Sequence, residues 1–342
     1  MAWYNEQASD EGQILSSRVR LARNIGKYPF RKKLDISRAA EMVSEVTAAT
    51  EVAGGSRYFH VLDIKSLSEV ELKVFLEKHI VSNEFLAVNL PKGLLVSDNQ
   101  NTSVMINEED HIRIQTISAG DDLYTSFETA CQIDDLIEER LEYAFHVEYG
   151  YLTTCPTNTG TGLRASYMVH LPCLDKNDVA NKLLPHVAKF GITLRGIYGE
   201  GTAPMGSIYQ ISNQNTLGKT EEEIMAGLKA VTKNILDHEL KARQKIFESK
   251  HLFIEDKVYR AYGILKNSRI ISANEAMNLL SDIRLGFMLE ILNVPKPSKQ
   301  IYQIMMEIQP GHLQRAASVE MNDQERDVTR AKYLRGIFNY SS

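Results

Sequence analysis

The chain has 342 residues, 43% of them hydrophobic and 24% charged, with Lys+Arg 39 against Asp+Glu 44 for a net charge of −5. That balance excludes a disordered tail, a collagen-like repeat and a disulfide miniprotein, and at about 150 residues per domain it predicts roughly two domains. A net acidic chain is a poor general ligand for polyanions, so direct nucleic-acid binding is not expected, and any basic site must be a local cluster.

Cys131, Cys155 and Cys173 are odd in number and form no C-x-x-C. A disulfide framework and a zinc knuckle are therefore disfavoured, and a reducing cytoplasm is expected. The segment from Met1 to Glu6 has neither a basic start nor an apolar stretch, and no run approaches the 18 or so apolar residues of a membrane span, so neither a signal peptide nor a membrane segment is expected.

No internal repeat interrupts the reading in chain order. Helical spacing covers 37–50, with Ser37 as N-cap, and 66–80, where Leu72, Phe75, Leu76 and His79 share a face. Residues 86–90, 94–96 and 103–106 read as strands between turn signals, and 111–115 alternates as a half-buried strand does. A long helix is predicted over 121–146. Strands follow at 164–171 and 192–198, with a helix interrupted by Pro185 between them. Thr220 and Glu223 form a capping box for a helix running past 240. Beyond about 250 strand signals nearly vanish. Ser272 with Glu275 opens one helix, 299–308 is another, Pro310-Gly311 reads as a turn, and 323–336 is helical again. This shift predicts a domain of mixed strands and helices over 1–243 and a helical domain over 244–342.

Common catalytic signatures are missing. Gly218-Lys219-Thr220 ends like a P-loop, but Asn213 stands where the first glycine belongs. Gly160 to Ala165 fits G-x-G-x-x-A, yet an alternating segment follows it rather than a helix start. Arginine placement is more informative. Arg18 and Arg20 share one face of an extended segment, Arg113 ends the alternation from Glu109 through His111, and Arg164 and Arg195 each adjoin a glycine-rich turn. Planar, permanently charged guanidiniums bind phosphate oxygens bidentately, so the set suggests a polyphosphate cradle. The acidic run Glu108-Glu109-Asp110 leads into the Arg113 strand, and Glu200 sits in a glycine-flanked loop. Two carboxylates beside such a cradle suit a planar cationic co-substrate. Cys155, among hydroxyls and amides before Pro156, has a more polar setting than a core thiol.

These segments resemble the signature blocks of the phosphagen (guanidino) kinase family: Ser16 to Asn24, Asn107 to Arg113, Cys155 to Ser166, and Arg195 to Glu200, in family order. Within that family the chain most resembles the bacterial protein arginine kinases, because Asp256 to Gly263 and Arg326 to Ala331 extend the match. The resemblance implies an α+β fold: a central, mainly antiparallel sheet flanked by helices, then a smaller all-helical C-terminal domain. It implies transfer of the γ-phosphoryl group of ATP to arginine side chains of proteins, marking them for regulated proteolysis and stress-response control, with Mg²⁺ carried by ATP and no protein-held metal.

By the same resemblance Arg18, Arg20, Arg113, Arg164 and Arg195 bind phosphates. Ser16, Ser17, Val19, His79, Ala165, Ser166, Tyr167 and Met168 line the nucleotide, as do Gly196, Ile197, Tyr198 and Gly199. Glu109 and Glu200 grip the incoming guanidinium, and Cys155 tunes it. Arg326, Asp327, Arg330 and Ala331 form a phosphoarginine pocket, against the plainer reading of a surface ion-pair network. Metabolic members carry a helical domain ahead of these blocks, whereas here the blocks begin at residue 16, and Gly201 replaces the usual histidine. An open acceptor site is the expectation. Implied partners are protein substrates with exposed arginines, including a heat-shock transcriptional repressor, a zinc-binding activator protein, an AAA+ unfoldase–protease, and a second copy of the chain paired through the Met-, Leu- and Ile-rich helices of 279–308. The alternatives are a metabolic guanidino kinase acting on free arginine and a non-catalytic phosphoarginine-binding adaptor.

Overall fold

The computed structural model describes residues 3–5, 12–52, 59–176, 179–196 and 204–339. Its strands are β1 (Ile14–Arg23), β2 (Phe59–Leu62), β3 (Gly93–Ser97), β4 (Thr102–Ile106), β5 (Ile112–Ala119), β6 (Phe145–His146), β7 (Gly150–Tyr151), β8 (Leu163–His170), β9 (Ile192–Gly196) and β10 (Ile208–Asn213). Its helices are α1 (Ile36–Val52), α2 (Glu69–Glu77), α3 (Asn83–Ala87), α4 (Leu123–Glu138), α5 (Pro172–Lys176), α6 (Val179–Ala188), α7 (Glu221–Asn267), α8 (Ala273–Met288), α9 (Ile301–Glu307), α10 (Pro310–Ala317) and α11 (Asp323–Asn339). Eight strands form one sheet in the order β2-β3-β4-β5-β1-β8-β10-β9, every pairing antiparallel, and β6 and β7 form a separate hairpin. The expected α+β class and the helical C-terminal region are both present.

Alternation along β1 divides the sheet into two unlike faces. Val19 and Leu21 point one way, where Ile114, Leu163, Ala165, Tyr167 and Ile211 join them under Met42 of α1, Ala130 and Ile137 of α4, and Ile224, Leu228 and Ile235 of α7. Arg18 and Arg20 point the other way. On that face the C-terminal helices roof one half: Ile117, Met168 and Ile208 share a core with Trp3, Val258, Leu280, Ile304 and Leu334. The other half carries the arginines. A third small core, Ile80, Phe85, Leu94, Val96 and Met105, packs under α2 and α3.

Several sequence expectations are corrected. Residues 86–90 do not form a strand. Ser82 caps α3 by accepting from the Phe85 N–H at 3.0 Å, and Lys92 Nζ donates to the carbonyls of Phe85, Leu86 and Val88, so the apolar run folds back as a helical turn. The helix predicted over 121–146 stops at Glu138. Tyr143 beyond it turns inward, its hydroxyl donating 3.0 Å to Asp134, and the Ala144 N–H donates to Asn24. Pro310 and Gly311 open α10 instead of making a turn, as a proline at the first helical position can. The strands β2 and β10 carried too little alternation to be predicted. The apolar residues of 279–308, among them Leu280, Ile283, Ile301, Ile304, Met305 and Met306, are buried in the chain's own C-terminal core. Leu279, Phe287, Leu289 and Val294 of the same stretch are only partly buried.

Helix α7 crosses from the catalytic sheet to the C-terminal helices, with non-helical Lys250 (φ −141°, ψ 34°) inside it. Near its start, at the end of β1, Arg23 is buried and donates through Nε and Nη2 to Asp134 of α4 at 3.0 and 2.6 Å. It also donates to the Ala22 and Thr161 carbonyls and lies 3.6 Å from the Tyr151 ring centroid. Asp134→Ala leaves that guanidinium buried without its counter-ion. We expect a loss of about 3–5 kcal/mol in unfolding free energy, measured by denaturant titration.

Candidate active site

The antiparallel register gathers the arginines. Arg20 stands opposite Gln115 on β5 and Arg164 on β8, Arg18 opposite Ile117 and Ser166, and Arg113 opposite Ala22. Ser16 and Gln210 both stand opposite Met168, and Arg195 stands opposite Gln210. Directly opposed residues project from the same face. Five adjacent strands therefore place Arg113, Arg20, Arg18, Arg164 and Arg195 on one surface.

The electrostatics of that surface are those of a site built for an anion. Burial, then repulsion from Arg113 and Arg164, pushes Arg18 down to about 10. Arg20 is lowered by burial first and then by Arg18, Arg113 and Arg164. Arg164 is lowered by burial, Arg195 and Arg113. Arg18 Nη2 donates to Gln210 Oε1 at 2.9 Å, a neutral acceptor, and the buried Nε of Arg20 has no hydrogen-bond partner among the described residues. Ser16, Ser166, Met168 and Gln210 line a small recess with Arg18. Gly162 lets the loop before β8 pass close to β1: at φ +65°, a Cβ there would lie 2.5 Å from the Ala22 carbonyl oxygen.

His79 joins this face from a different element than expected. Helix α2 ends at Glu77, and His79 adopts φ 58° in the left-handed region. Its carbonyl accepts from Gln115 Nε2 at 2.5 Å. Burial, with Arg18 and Arg20 nearby, pushes its imidazole down to about 3, so it is neutral beside the cations.

The acidic run resolves into three roles. Glu108 is buried, pairs with Arg113 and accepts from the Ser82 hydroxyl. Burial opposes its charge, but Arg113, Ser82 and the Glu109 N–H outweigh it and leave the carboxyl below its ordinary value. Glu109 is half-buried and raised, by burial first and then by Asp110 and Glu108. Asp110 Oδ1 accepts from Asn24 Nδ2 at 2.7 Å and from the Thr154 N–H at 2.6 Å, which ties the loop carrying Cys155 to the acidic loop. Cys155 Sγ lies 3.1 Å from the Thr157 hydroxyl. Arg164 feels the charge of both Cys155 and Glu109, after burial, Arg195 and Arg113. His111 is structural: it accepts from the Ile25 N–H at Nδ1, and its Nε2 lies 3.1 Å from the Pro29 carbonyl.

Other predicted site residues lie elsewhere. Val19, Ala165 and Tyr167 project into the helix-covered core, and the Tyr167 hydroxyl donates to Asp121 at 2.7 Å. The Ser17 hydroxyl donates to Gly120 and accepts from the Asp122 N–H, both at 2.9 Å, fixing the loop before α4. Gly196 closes β9 opposite Tyr209. Ile197, Tyr198, Gly199, Glu200 and Gly201 lie outside the described residues. At the C-terminus Arg330 is buried, not on a surface ion-pair face. It donates to the carbonyls of Ile308 at 3.0 Å and Ile271 at 2.9 Å and pairs with Asp327. Arg326 donates to the Met321 carbonyl at 2.5 Å and pairs with Asp323, while Ala331 is fully buried. Sequence reasoning missed Glu108, Asp110, Gln115 and Gln210. Glu108 and Asp110 were inside a quoted motif, but only the three-dimensional contacts separate them from Glu109.

Comparison with known proteins shows that this sheet, with one cationic face roofed on one side by helices, belongs to a phosphagen-kinase type of catalytic module. The model of the ATP:guanido phosphotransferase C-terminal catalytic domain matches residues 41–242, and that of the protein-arginine kinase McsB C-terminal domain matches 251–342. The fold is shared with the duplicated taurocyamine kinase of Schistosoma mansoni (TM-score 0.62, 24% identity, 72% of this chain and 37% of that one) and with lombricine kinase (TM-score 0.60, 24% identity, 69% and 68%). Protein-arginine kinase from Halothermothrix orenii is 42% identical over 337 residues, covering 98% of this chain and 96% of its own. That from Geobacillus thermodenitrificans is 43% identical over 338 residues, covering 98% and 92%. The chain belongs to the protein-arginine kinase family.

The position of His79 yields a test. Its folded-state pKa is depressed, so the unfolded chain binds the proton more readily, and the stability His79 contributes is lost as pH falls below its ordinary value of about 6.5. The His79 imidazole is expected to show no protonation shift between pH 5 and 8 in an NMR titration.

Proposed function

We propose that this chain transfers the γ-phosphoryl group of ATP to arginine side chains of proteins. The observation that carries the reading is the gathering of mutually repelling, half-buried guanidiniums on one sheet face, with an elevated carboxyl at its edge. A triphosphate supplies the anion that offsets their repulsion, held by forked N–H donors. Neutral His79 packs beside it without adding charge. Mg²⁺ arrives with the nucleotide in this reading, because the fixed groups of the cleft are cations and Glu108 is already paired with Arg113.

Guanidinium keeps its proton to above about pH 12, so the attacking nitrogen must be oriented and deprotonated. Glu109, raised toward neutrality, suits that base. The N–P bond forms as the bond from the γ-phosphorus to the bridging oxygen breaks, the nitrogen's proton passes to Glu109, and ADP leaves. Transfer between roughly in-line oxygen and nitrogen depends mostly on positioning and charge compensation. Glu200 is the second carboxylate by resemblance. Cys155, next to the Thr157 hydroxyl and near Arg164, lies where it can stabilise the bound guanidinium.

The family relation favours arginine within a polypeptide as acceptor over free arginine, and the retained Glu109, Cys155 and arginine set favours catalysis over a binding adaptor. The wider reading places the protein in the bacterial cytoplasm, marking substrates such as a heat-shock transcriptional repressor for an AAA+ unfoldase–protease, with a zinc-binding activator protein and a homodimeric state. Residues 1–243 serve as catalytic domain and 244–342 as regulatory domain. Within the latter, Arg326 and Asp327 are the groups exposed enough to meet phosphoarginine, with Arg330 and Ala331 as their scaffold.

Glu109→Ala should lower turnover by about 10²- to 10⁴-fold with ATP affinity retained. The test is intact-mass analysis of an unfolded protein substrate, where the adduct should be lost in acid as an N–P bond is. Near-normal turnover in that variant removes Glu109 as base. Because the base must be deprotonated and its pKa is raised, the wild-type rate should fall on the acid side at a pH above the ordinary glutamate value of about 4.3. Arg326→Ala should abolish any response to added phosphoarginine while basal kinase activity persists, as read by titration.

A further inference from the structure

The end of α2 joins three parts of the molecule through three consecutive residues. Both carboxylate oxygens of buried Glu77 are used at the start of α10: Oε1 accepts from the Gly311 N–H at 2.6 Å, and Oε2 accepts from the His312 N–H at 3.0 Å and from His312 Nδ1 at 2.8 Å. The residue before α10, Gln309, does not cap it; its side-chain amide donates to the Met305 carbonyl. Glu77 therefore supplies from a distant element the acceptors that the first helical N–H groups require. Gly311 is fitted to this contact, since a Cβ there would lie 2.9 Å from Glu77 Oε2.

The next residue, Lys78, offers its carbonyl to the indole N–H of buried Trp3 at 2.9 Å. Trp3 packs against Tyr302 of α9, and Tyr4 hydrogen-bonds His312 Nε2 at 3.2 Å. Third comes His79, whose N–H donates to Leu76 while Ile80 N–H donates to Phe75, closing α2 with a left-handed residue where glycine is usual. A non-glycine residue is disfavoured in that conformation, because its Cβ crowds the following carbonyl. The surroundings must hold it there, and they do so from both sides: Gln115 of the arginine face grips the His79 carbonyl, and α10 grips Glu77 two residues earlier.

We propose that Glu77 is a positioning residue for nucleotide binding: anchored on the start of α10, it sets the His79 turn against Arg18 and Arg20, so ATP affinity depends on the C-terminal helices through the Glu77–Gly311–His312 contact. The inference rests on the kinase reading above and adds a residue to it. Glu77 touches no substrate; it acts through His79.

The test uses the full-length protein. ATP affinity and KM are measured first for the wild type, then for Glu77→Gln and for Gly311→Ala, which perturbs the same contact from its other side by one methyl. Both variants should raise KM and Kd for ATP roughly five- to tenfold with kcat changed less than about twofold, and both should shift the His79 imidazole resonances. Phe338→Ala, in the core of α11, is the stability control: it should lower Tm without moving KM for ATP. Wild-type ATP binding with unchanged KM and unshifted His79 resonances in both contact variants overturns the inference alone, as does a Phe338→Ala variant that reproduces the KM change. A wild-type chain that does not bind ATP overturns the kinase reading and this inference with it.

Discussion

Guanidinium groups repel one another, and a sheet that places Arg18, Arg20, Arg113 and Arg164 on adjoining strands must compensate elsewhere. The compensation is visible in the other face. Val19, Leu21, Ala165 and Tyr167 alternate with the arginines and are buried under α1, α4 and α7, so the cations stay together because the residues between them anchor the strands. β1 has partners on both edges and cannot slip by one residue without exchanging its core for its charges. The cationic surface is thus a by-product of register, and register is fixed by apolar burial on the reverse side.

Much of this was legible in the sequence. Two arginines at spacing two in Ser16 to Arg20, and others beside glycine turns, follow directly from strand geometry. The Thr220–Glu223 capping box is present as predicted, with both reciprocal contacts formed. What escaped was decided by distant partners. The run 86–90 has the composition of a strand, but its first two residues end α3 and Lys92, reaching back to three carbonyls, holds the turn that follows. His79 carried a helical spacing, yet the contacts around Glu77 and Gln115 end the helix before it. In the acidic run, three neighbouring carboxylates look alike in one dimension; Arg113 takes Glu108, Thr154 takes Asp110, and Glu109 is left half-buried with a raised pKa by subtraction. Arg330 shows the same limit. The plainer reading put it in a surface ion-pair network, whereas the Ile271 and Ile308 carbonyls draw it into the core.

The C-terminal helices do more than follow the catalytic sheet. They cover Ile117, Met168 and Ile208 on the very face that bears the arginines, and Tyr302 of α9 reaches Met168, its hydroxyl donating 3.4 Å to the sulfur. The boundary between cleft and roof therefore runs along single strands: on β8, Arg164 and Ser166 belong to the cleft and Met168 to the roof.

Helix α7 gives this arrangement a practical corollary. Ile224, Leu228 and Ile235 serve the first core, and Ile254, Val258 and Leu265 serve the second, on either side of the kink at Lys250 in one element. Arg243, near its middle, donates 2.7 Å to Glu239, and Glu239 in turn receives the Cys173 and Leu174 N–H groups that open α5. Cutting the gene at the compositional border would sever this element immediately after Arg243 and strip the sheet of its oily lining beside the arginines. Two units distinguishable by amino-acid usage are, for the purpose of expression and purification, a single object.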